Sequence, residues 1–259
     1  VGWLMGIVAV AGDAGTTTAV ALAAAWPASA DVIIVEADPS GGDLAAWFDL
    51  TATPSLSTVV TQVPDGAWPA VERLTRLADS GLRLIPAPSR SLEATQAVGE
   101  AGRSLAPTLA TLRSPLTIAD TGRLGPAPGS HPFVVSAAVT VVVHRQSTQS
   151  SRAAAVRQQR LAEQLDSFTA LPTAVVVAVV GAAPFDVGEI RSFLADSVGA
   201  VTIVGLPVDE LTAAVFGGRT GVSERRLARL PLMRASRDLA VVVDELLAES
   251  ASALWRSPR

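Results

Sequence analysis

The first apolar run of this chain closes on Val10-Ala11-Gly12-Asp13-Ala14-Gly15-Thr16-Thr17-Thr18. Two glycines permit tight turns and close approach of a ligand, and the free N–H groups of a helix beginning at Thr16 to Thr18 attract an anion such as phosphate. The same residues also suit an ordinary strand-to-helix turn with a threonine cap. Two further segments shift the balance toward a site. Asp31 to Asp43 reads as a strand ending in Glu36-Ala37-Asp38-Pro39-Ser40-Gly41-Gly42-Asp43, and Leu116-Thr-Ile-Ala-Asp-Thr-Gly122 is a strand that delivers Asp120. In a doubly wound sheet, ligands bind beyond the carboxyl ends of the strands, where all three segments would meet.

The elements that must position them follow from hydrophobic pattern. Continuous Val/Ile/Leu-rich runs at Leu4–Val10, Val32–Val35, Leu82–Ile85, Leu116–Ala119, Val134–Val143, Ala174–Val180 and Val201–Val204 predict strands buried on both faces. Between them, Thr17–Trp26, Ala67–Asp79, Leu92–Thr111, Ser151–Leu165, Val187–Ala195 and Leu232–Glu249 predict helices, and Thr51–Pro64, Gly122–Pro132 and Phe216–Ser223 predict loops. Alternating strand and helix implies an α/β fold: one doubly wound, mostly parallel sheet of about seven strands flanked by helices. No composition shift or polar linker divides residues 1–259, so one domain is expected, with a C-terminal helix at about 232–250.

Composition narrows the chemistry. Of 259 residues, 49% are hydrophobic and 17% charged, and the mean hydropathy is +0.40, which excludes intrinsic disorder. The longest apolar runs fall short of the roughly 18 to 20 residues of a transmembrane helix. Val1–Val10 has no basic leader region and reads as a core strand, so a cytoplasmic location is expected. The absence of cysteine excludes disulfides and thiolate catalysis, and two histidines, His131 and His144, leave little for a zinc site; both read as incidental. No Gly-x-Ser-x-Gly elbow is present for serine hydrolysis. The 20 cationic side chains are all arginine, so no mechanism that needs lysine is open.

Together, the three strand-terminal motifs resemble the ParA/MinD family of deviant Walker A P-loop ATPases. The resemblance spans nearly the whole chain: Leu-Ile-Pro-Ala-Pro-Ser-Arg at 84–90 is similar to the third-strand exit of the MinD/CpaE branch, and Val204-Gly-Leu-Pro207 to its late strand exit. The resemblance implies a P-loop NTPase-like fold and ATP or ADP with Mg²⁺ held at Gly12, Asp13, Ala14, Gly15, Thr16, Thr17, Thr18 and Pro207. It implies Thr17 and Asp120 as metal-site residues and Asp38 as the carboxylate that orients attacking water. The family loop reads Gly-Lys-Gly-Gly-x-Gly-Lys-Thr-Thr, so Ala11 and Thr16 stand where its two lysines would, and Asp13 stands where it has a glycine. Each charged hydrogen bond to phosphate contributes about 1.5–3 kcal/mol, so their loss weakens affinity by a thousandfold or more on this scale and leaves hydrolysis weak or lost. Arg90, Arg123 and Arg145 are the candidate replacement cations. Where the family often places an adenine-contacting Asn, this chain has Val180-Gly181-Ala182.

Two readings of function follow. One is a nucleotide-binding protein for spatial positioning or partitioning of a chromosome, septum or secretion apparatus. The other is a pseudo-ATPase interaction scaffold that no longer binds nucleotide. Either implies a homodimer or a heterologous protein partner. Arg219, Arg225, Arg226, Arg229, Arg234 and Arg237 face one acid, Glu224, in their segment, a patch suited to DNA or anionic lipid, to solvent, or to internal ion pairs. The last helix, with Leu239, Val242, Val243, Leu246 and Leu247, is followed by the tail Leu254, Trp255, Arg256 and Arg259; the resemblance to MinD raises a membrane-binding amphipathic helix here, but the apolar stripe reads as core packing and Asp244, Glu245 and Glu249 would be repelled by anionic lipid.

Overall fold

A computed structural model describes residues 6–27, 30–125, 131–146 and 150–256, with side chains to residue 251. Among these, eight strands form one sheet in the order β3-β4-β2-β5-β1-β6-β7-β8. The strands are β1 (Ile7–Gly12), β2 (Val32–Glu36), β3 (Arg76–Leu77), β4 (Arg83–Ile85), β5 (Leu116–Asp120), β6 (Val139–Arg145), β7 (Ala174–Val180) and β8 (Thr202–Leu206). All pairs are parallel except the short edge strand β3, which runs antiparallel to β4.

The apolar runs divide by pleat. Ile7, Ala9, Ile33 and Val35 face one core; Val8, Val10 and Ile34 face the other. The first core is closed by α3 (Leu56–Gln62), α5 (Ser91–Thr111), α7 (Ser151–Asp166) and α8 (Val187–Val198). The second is closed by α1 (Gly15–Ala25), α9 (Glu210–Phe216) and α11 (Pro231–Arg256). Leu239, Val243 and Leu247 of α11 are buried there, as core packing requires, and no helix of the described residues is long and apolar enough to cross a membrane. The side chains of Leu254, Trp255 and Arg256, and all of Arg259, lie outside the described residues.

Local chemistry corrects several expected boundaries. The run Val134–Val143 is split, because Pro132 suits the first position of a four-residue helix, α6 (Pro132–Val135), and the strand begins only at Val139. The helix expected over Ala67–Asp79 stops after α4 (Trp68–Glu72). Arg76 then donates to the carbonyls of Thr51 (3.1 Å) and Thr53 (2.7 Å), which turns the chain into β3 and raises the strand count to eight. The loop expected over Thr51–Pro64 contains α3, whose Ser55 and Thr58 form a reciprocal cap. Short helices α2 (Leu44–Trp47) and α10 (Glu224–Leu227) were likewise below the reach of periodicity.

One carboxylate joins two of the helices that close the second core. Asp209 accepts from the Thr212 N–H at 3.0 Å as the cap of α9, and also from the Thr212 hydroxyl (2.7 Å) and the Leu232 N–H (3.1 Å) at the start of α11. Asp209→Ala removes the cap and strands both donors, so it is expected to cost about 1–2 kcal/mol. A melting temperature equal to the parent's would show that solvent replaces these bonds.

Candidate functional site

Parallel register sets three residues level at the carboxyl edge: Val10 pairs with Asp120, and Asp120 with Glu36. The expected convergence of the loop, the Glu36–Asp43 turn and the Asp120–Gly122 exit is therefore present. Two glycines make it possible. Gly12, at φ +123°, donates to the Gly122 carbonyl at 2.9 Å, and a Cβ there would overlap the Val143 backbone. Gly122, at φ +66°, leaves room for the Asp38 carboxylate, which a Cβ would displace.

Within the loop, Ala14 adopts the left-handed conformation, at φ 71°. It precedes α1, and the N–H groups of Gly15, Thr16 and Thr17 find no backbone acceptor among the described residues, as an anion cradle requires. Asp13 is not an uncompensated charge beside them. Its carboxylate pairs with Arg123 Nε at 2.9 Å and with Arg157 Nη1 at 3.0 Å. Ala11 is fully buried at the end of β1, so it presents no side chain to a second molecule.

The acids are the most perturbed groups of the edge. Glu36, 2% exposed, accepts N–H bonds from Asp43 (2.7 Å), Leu44 (3.0 Å) and Ala87 (2.8 Å), which fastens the exits of β2 and β4 together. Burial raises its pKa to about 7 against the pull of those donors, with Asp120 adding to the rise. Asp120, fully buried, is raised to about 6 by burial, opposed by Thr16 and the Gly122 N–H. Its Oδ2 has no hydrogen-bond partner among the described residues, a buried acceptor suited to a metal's water shell or a metal. Asp38 accepts from the Ser40 N–H at 2.7 Å and adds to the rise at Asp120. Among the described residues no group of three or more Asp, Glu, His or Cys side chains is placed to hold a metal.

A groove of about 520 Å³ runs from Ala14, Thr17 and Thr18 to the turn at Pro207 and is lined by two cations, Arg145 and Arg219, and two acids, Asp209 and Glu210. Arg145 was legible as a strand-exit cation; Arg219 was legible only as part of the basic patch. Arg90 is exposed at the start of α5 and does not line the groove. Three other residues gain roles that sequence reasoning missed. His131 Nε2 lies 3.0 Å from the Ala37 carbonyl, bracing the residue before Asp38. Gln146 donates to the carbonyls of Gly181 and Phe185, both at 2.7 Å, and so shapes the Val180-Gly181-Ala182 exit. Arg157 clamps Asp13; with Arg160 and Gln164 it forms a stripe at helical spacing, the one sequence signal that could have marked it.

The sheet order and the helices on both faces give a fold of the ParA/MinD type. No family model matches the sequence, and no curated protein matches it. A ParA family ATPase from Chlorobium tepidum TLS is 15% identical, with a TM-score of 0.68 over 91% of this chain and 97% of that one. MinD in the MinC:MinD cell division complex of Aquifex aeolicus is 18% identical, with a TM-score of 0.56 over 92% and 94%. A cobyrinic acid a,c-diamide synthase of Mycobacterium smegmatis, with ATP analogue and magnesium bound, is also 18% identical, with a TM-score of 0.57 over 92% and 94%. At these identities the likeness establishes the fold alone.

Two predictions come from this geometry. Ala14→Gly relieves a left-handed alanine and is expected to stabilise the chain by about 1 kcal/mol, read as a higher melting temperature; no change would place the strain elsewhere. Glu36 and Asp120 bind their protons more tightly folded than unfolded. Their contribution to stability is therefore largest at acid pH and is lost as pH rises through about 6 for Asp120 and about 7 for Glu36. Melting temperature should rise on acidification from about pH 8 to about pH 5.5, and Glu36→Gln should flatten that rise. A fall in the parent over this range would contradict the buried-acid account.

Proposed function

We propose that this chain is a ParA/MinD-type protein of spatial positioning or partitioning. It would bind ATP or ADP with Mg²⁺ in the groove between the loop and the Pro207 turn, and hydrolyse it slowly or not at all. The observation that carries the reading is this groove: it runs from Ala14, Thr17 and Thr18, beside the free N–H groups at the start of α1, to the Pro207 turn, and holds two arginines as well as Asp209 and Glu210, although no lysine exists in the chain. The unpartnered Asp120 Oδ2, level with Glu36 and near Thr16, gives the second half of the fit. Mg²⁺, when bound, would neutralise phosphate charge.

The residues divide the work as follows. Within the Gly12–Thr18 loop, the free backbone N–H groups of Gly15, Thr16 and Thr17 cradle phosphate oxygens, and Arg145 and Arg219 supply the cationic contact. Thr17 and Asp120 hold the metal's side of the site. Asp38, pressed against Gly122, orients water. Losing a positioned cation typically costs about 10² to 10³ in rate, which places turnover far below that of a site with both lysines. A partner protein fits the reading, since the MinD neighbour is a complex with MinC. Arg219, Arg225, Arg226, Arg229, Arg234 and Arg237 are all exposed and make no ion pair among the described residues, which favours docking on DNA or anionic lipid over internal pairing. The scaffold reading is favoured by one observation: Asp13, already paired with two arginines, closes one side of the loop.

Titration with labelled ATP and ADP, with and without Mg²⁺, decides between them. The parent is expected to bind weakly, Arg145→Ala to weaken binding by about tenfold, and Asp13→Gly with Thr16→Lys to strengthen it by about a hundredfold. Tight Mg²⁺-dependent binding with turnover by the parent would sink the scaffold reading. A folded double variant that binds no better would leave the loop a relic and the chain a scaffold.

A further inference from the structure

On the face of the sheet opposite α1, a cavity of about 340 Å³ lies between the loop and α7. Its charged lining is Arg123 from the β5 exit, Arg145 from the end of β6, Arg157 and Arg160 from α7, and a single acid, Asp13. Four guanidinium groups against one carboxylate leave three positive charges in excess around a small volume. Like charges gathered at this range repel. Packing alone gives no reason to collect them: Arg123 is 84% exposed along its side chain and buries almost nothing. Asp13 engages two of the four, Arg123 and Arg157, while Arg145 and Arg160 make no ion pair among the described residues.

A second observation is independent of the arginines. His144, at 8% exposure, also lines the cavity, and its buried Nε2 has no hydrogen-bond partner among the described residues. Buried polar atoms are nearly always paired, so an orphan in a cationic cavity marks a partner that the chain does not supply. Burial, and then the neighbouring Arg157, lower the pKa of this ring and hold it neutral, able to donate from Nε2 without adding a further charge. Guanidinium forks bind phosphate oxygens in pairs, and the cavity lies at the small end of the range for ligand sites, about 300–1,000 Å³.

We propose that this cavity is an oxyanion site for a compact, multiply charged phosphate group of the pyrophosphate class, with Asp13 as a built-in competitor. In the unliganded chain the Asp13 carboxylate occupies two guanidinium groups that the ligand needs. A ligand with several negative oxygens can displace it and recruit Arg145 and Arg160 as well; a single carboxylate cannot. The site is separate from the groove described above, although Arg145 lines both, and it stands whether or not nucleotide binds in that groove. The oxyanion could be free or the phosphate tail of a nucleotide.

The test is calorimetric titration of the full chain with sodium pyrophosphate, using sodium acetate as the singly charged control. Saturable one-site binding of pyrophosphate and none of acetate is expected. Arg157→Gln with Arg160→Gln should weaken it by at least about tenfold, and Arg123→Gln, whose side chain the fold does not need, by several-fold. Asp13→Asn should strengthen it by about tenfold, whereas Asp65→Asn, the same change of charge outside the cavity lining, should leave it unchanged. Thr17→Ala, in the neighbouring groove, should also leave it unchanged. Displacement of pyrophosphate by ATP, absent in the Arg157/Arg160 variant, would identify a nucleotide tail as the source; no displacement would identify the free oxyanion. Binding that ignores the arginine changes, that is lost in Thr17→Ala, or that rises equally with Asp65→Asn would overturn the proposal.

Discussion

Parallel pairing holds the ends of β1, β2 and β5 level, and the site depends on that register before it depends on any side chain. Because Val10, Asp120 and Glu36 are paired in adjacent strands, the segments that follow them leave the sheet together and must pack against one another. The Gly12 N–H to Gly122 carbonyl bond and the close fit of Asp38 on Gly122 are consequences of that crowding. Glu36 completes the arrangement by accepting three backbone N–H groups from two different exits. A buried carboxylate is costly to ionise, and its three donors are what make it tolerable.

Charge is distributed unevenly along this edge. The acids Glu36 and Asp120 lie deep and carry raised pKa values, while the cations are peripheral and come from elements other than the loop. Arg145 and Arg219 reach the groove from β6 and from beyond α9, and Arg123 and Arg157 meet Asp13 from the opposite face. A lysine within the loop would sit beside a bound phosphate whatever the rest of the chain did. Arginines on separate elements instead tie the loop to the β5 exit and to α7, so the position of Asp13 depends on α7 as well as on the loop.

The resemblance to ParA/MinD proteins and the likeness of fold agree, yet they rest on different physics. Motif order reports which residue types leave which strands; the superposition reports that helices and strands of similar length are stacked in a similar order. Neither reports the protonation of Asp120 or the pairing of Asp13. Those depend on desolvation and on distances of a few ångströms, which vary among chains of one fold.

From the sequence alone, the parallel core, the three convergent motifs and the missing lysines were all determined, because continuous apolar runs and strand-terminal glycines and aspartates leave few topologies open. Ala174–Val180 was legible to the residue, since a seven-residue apolar run has no competing structure. The split of Val134–Val143 was not, because a short helix starting at Pro132 outweighs the β preference of the valines that follow it. Nor was the left-handed turn at Ala14, where a conformation natural to glycine is imposed on alanine by the path from β1 into α1. Only the tertiary structure decided which cations serve the loop. Arg157 is 144 residues from Asp13 in the chain and reaches it because α7 lines the cavity beside the loop, a contact that no local pattern encodes.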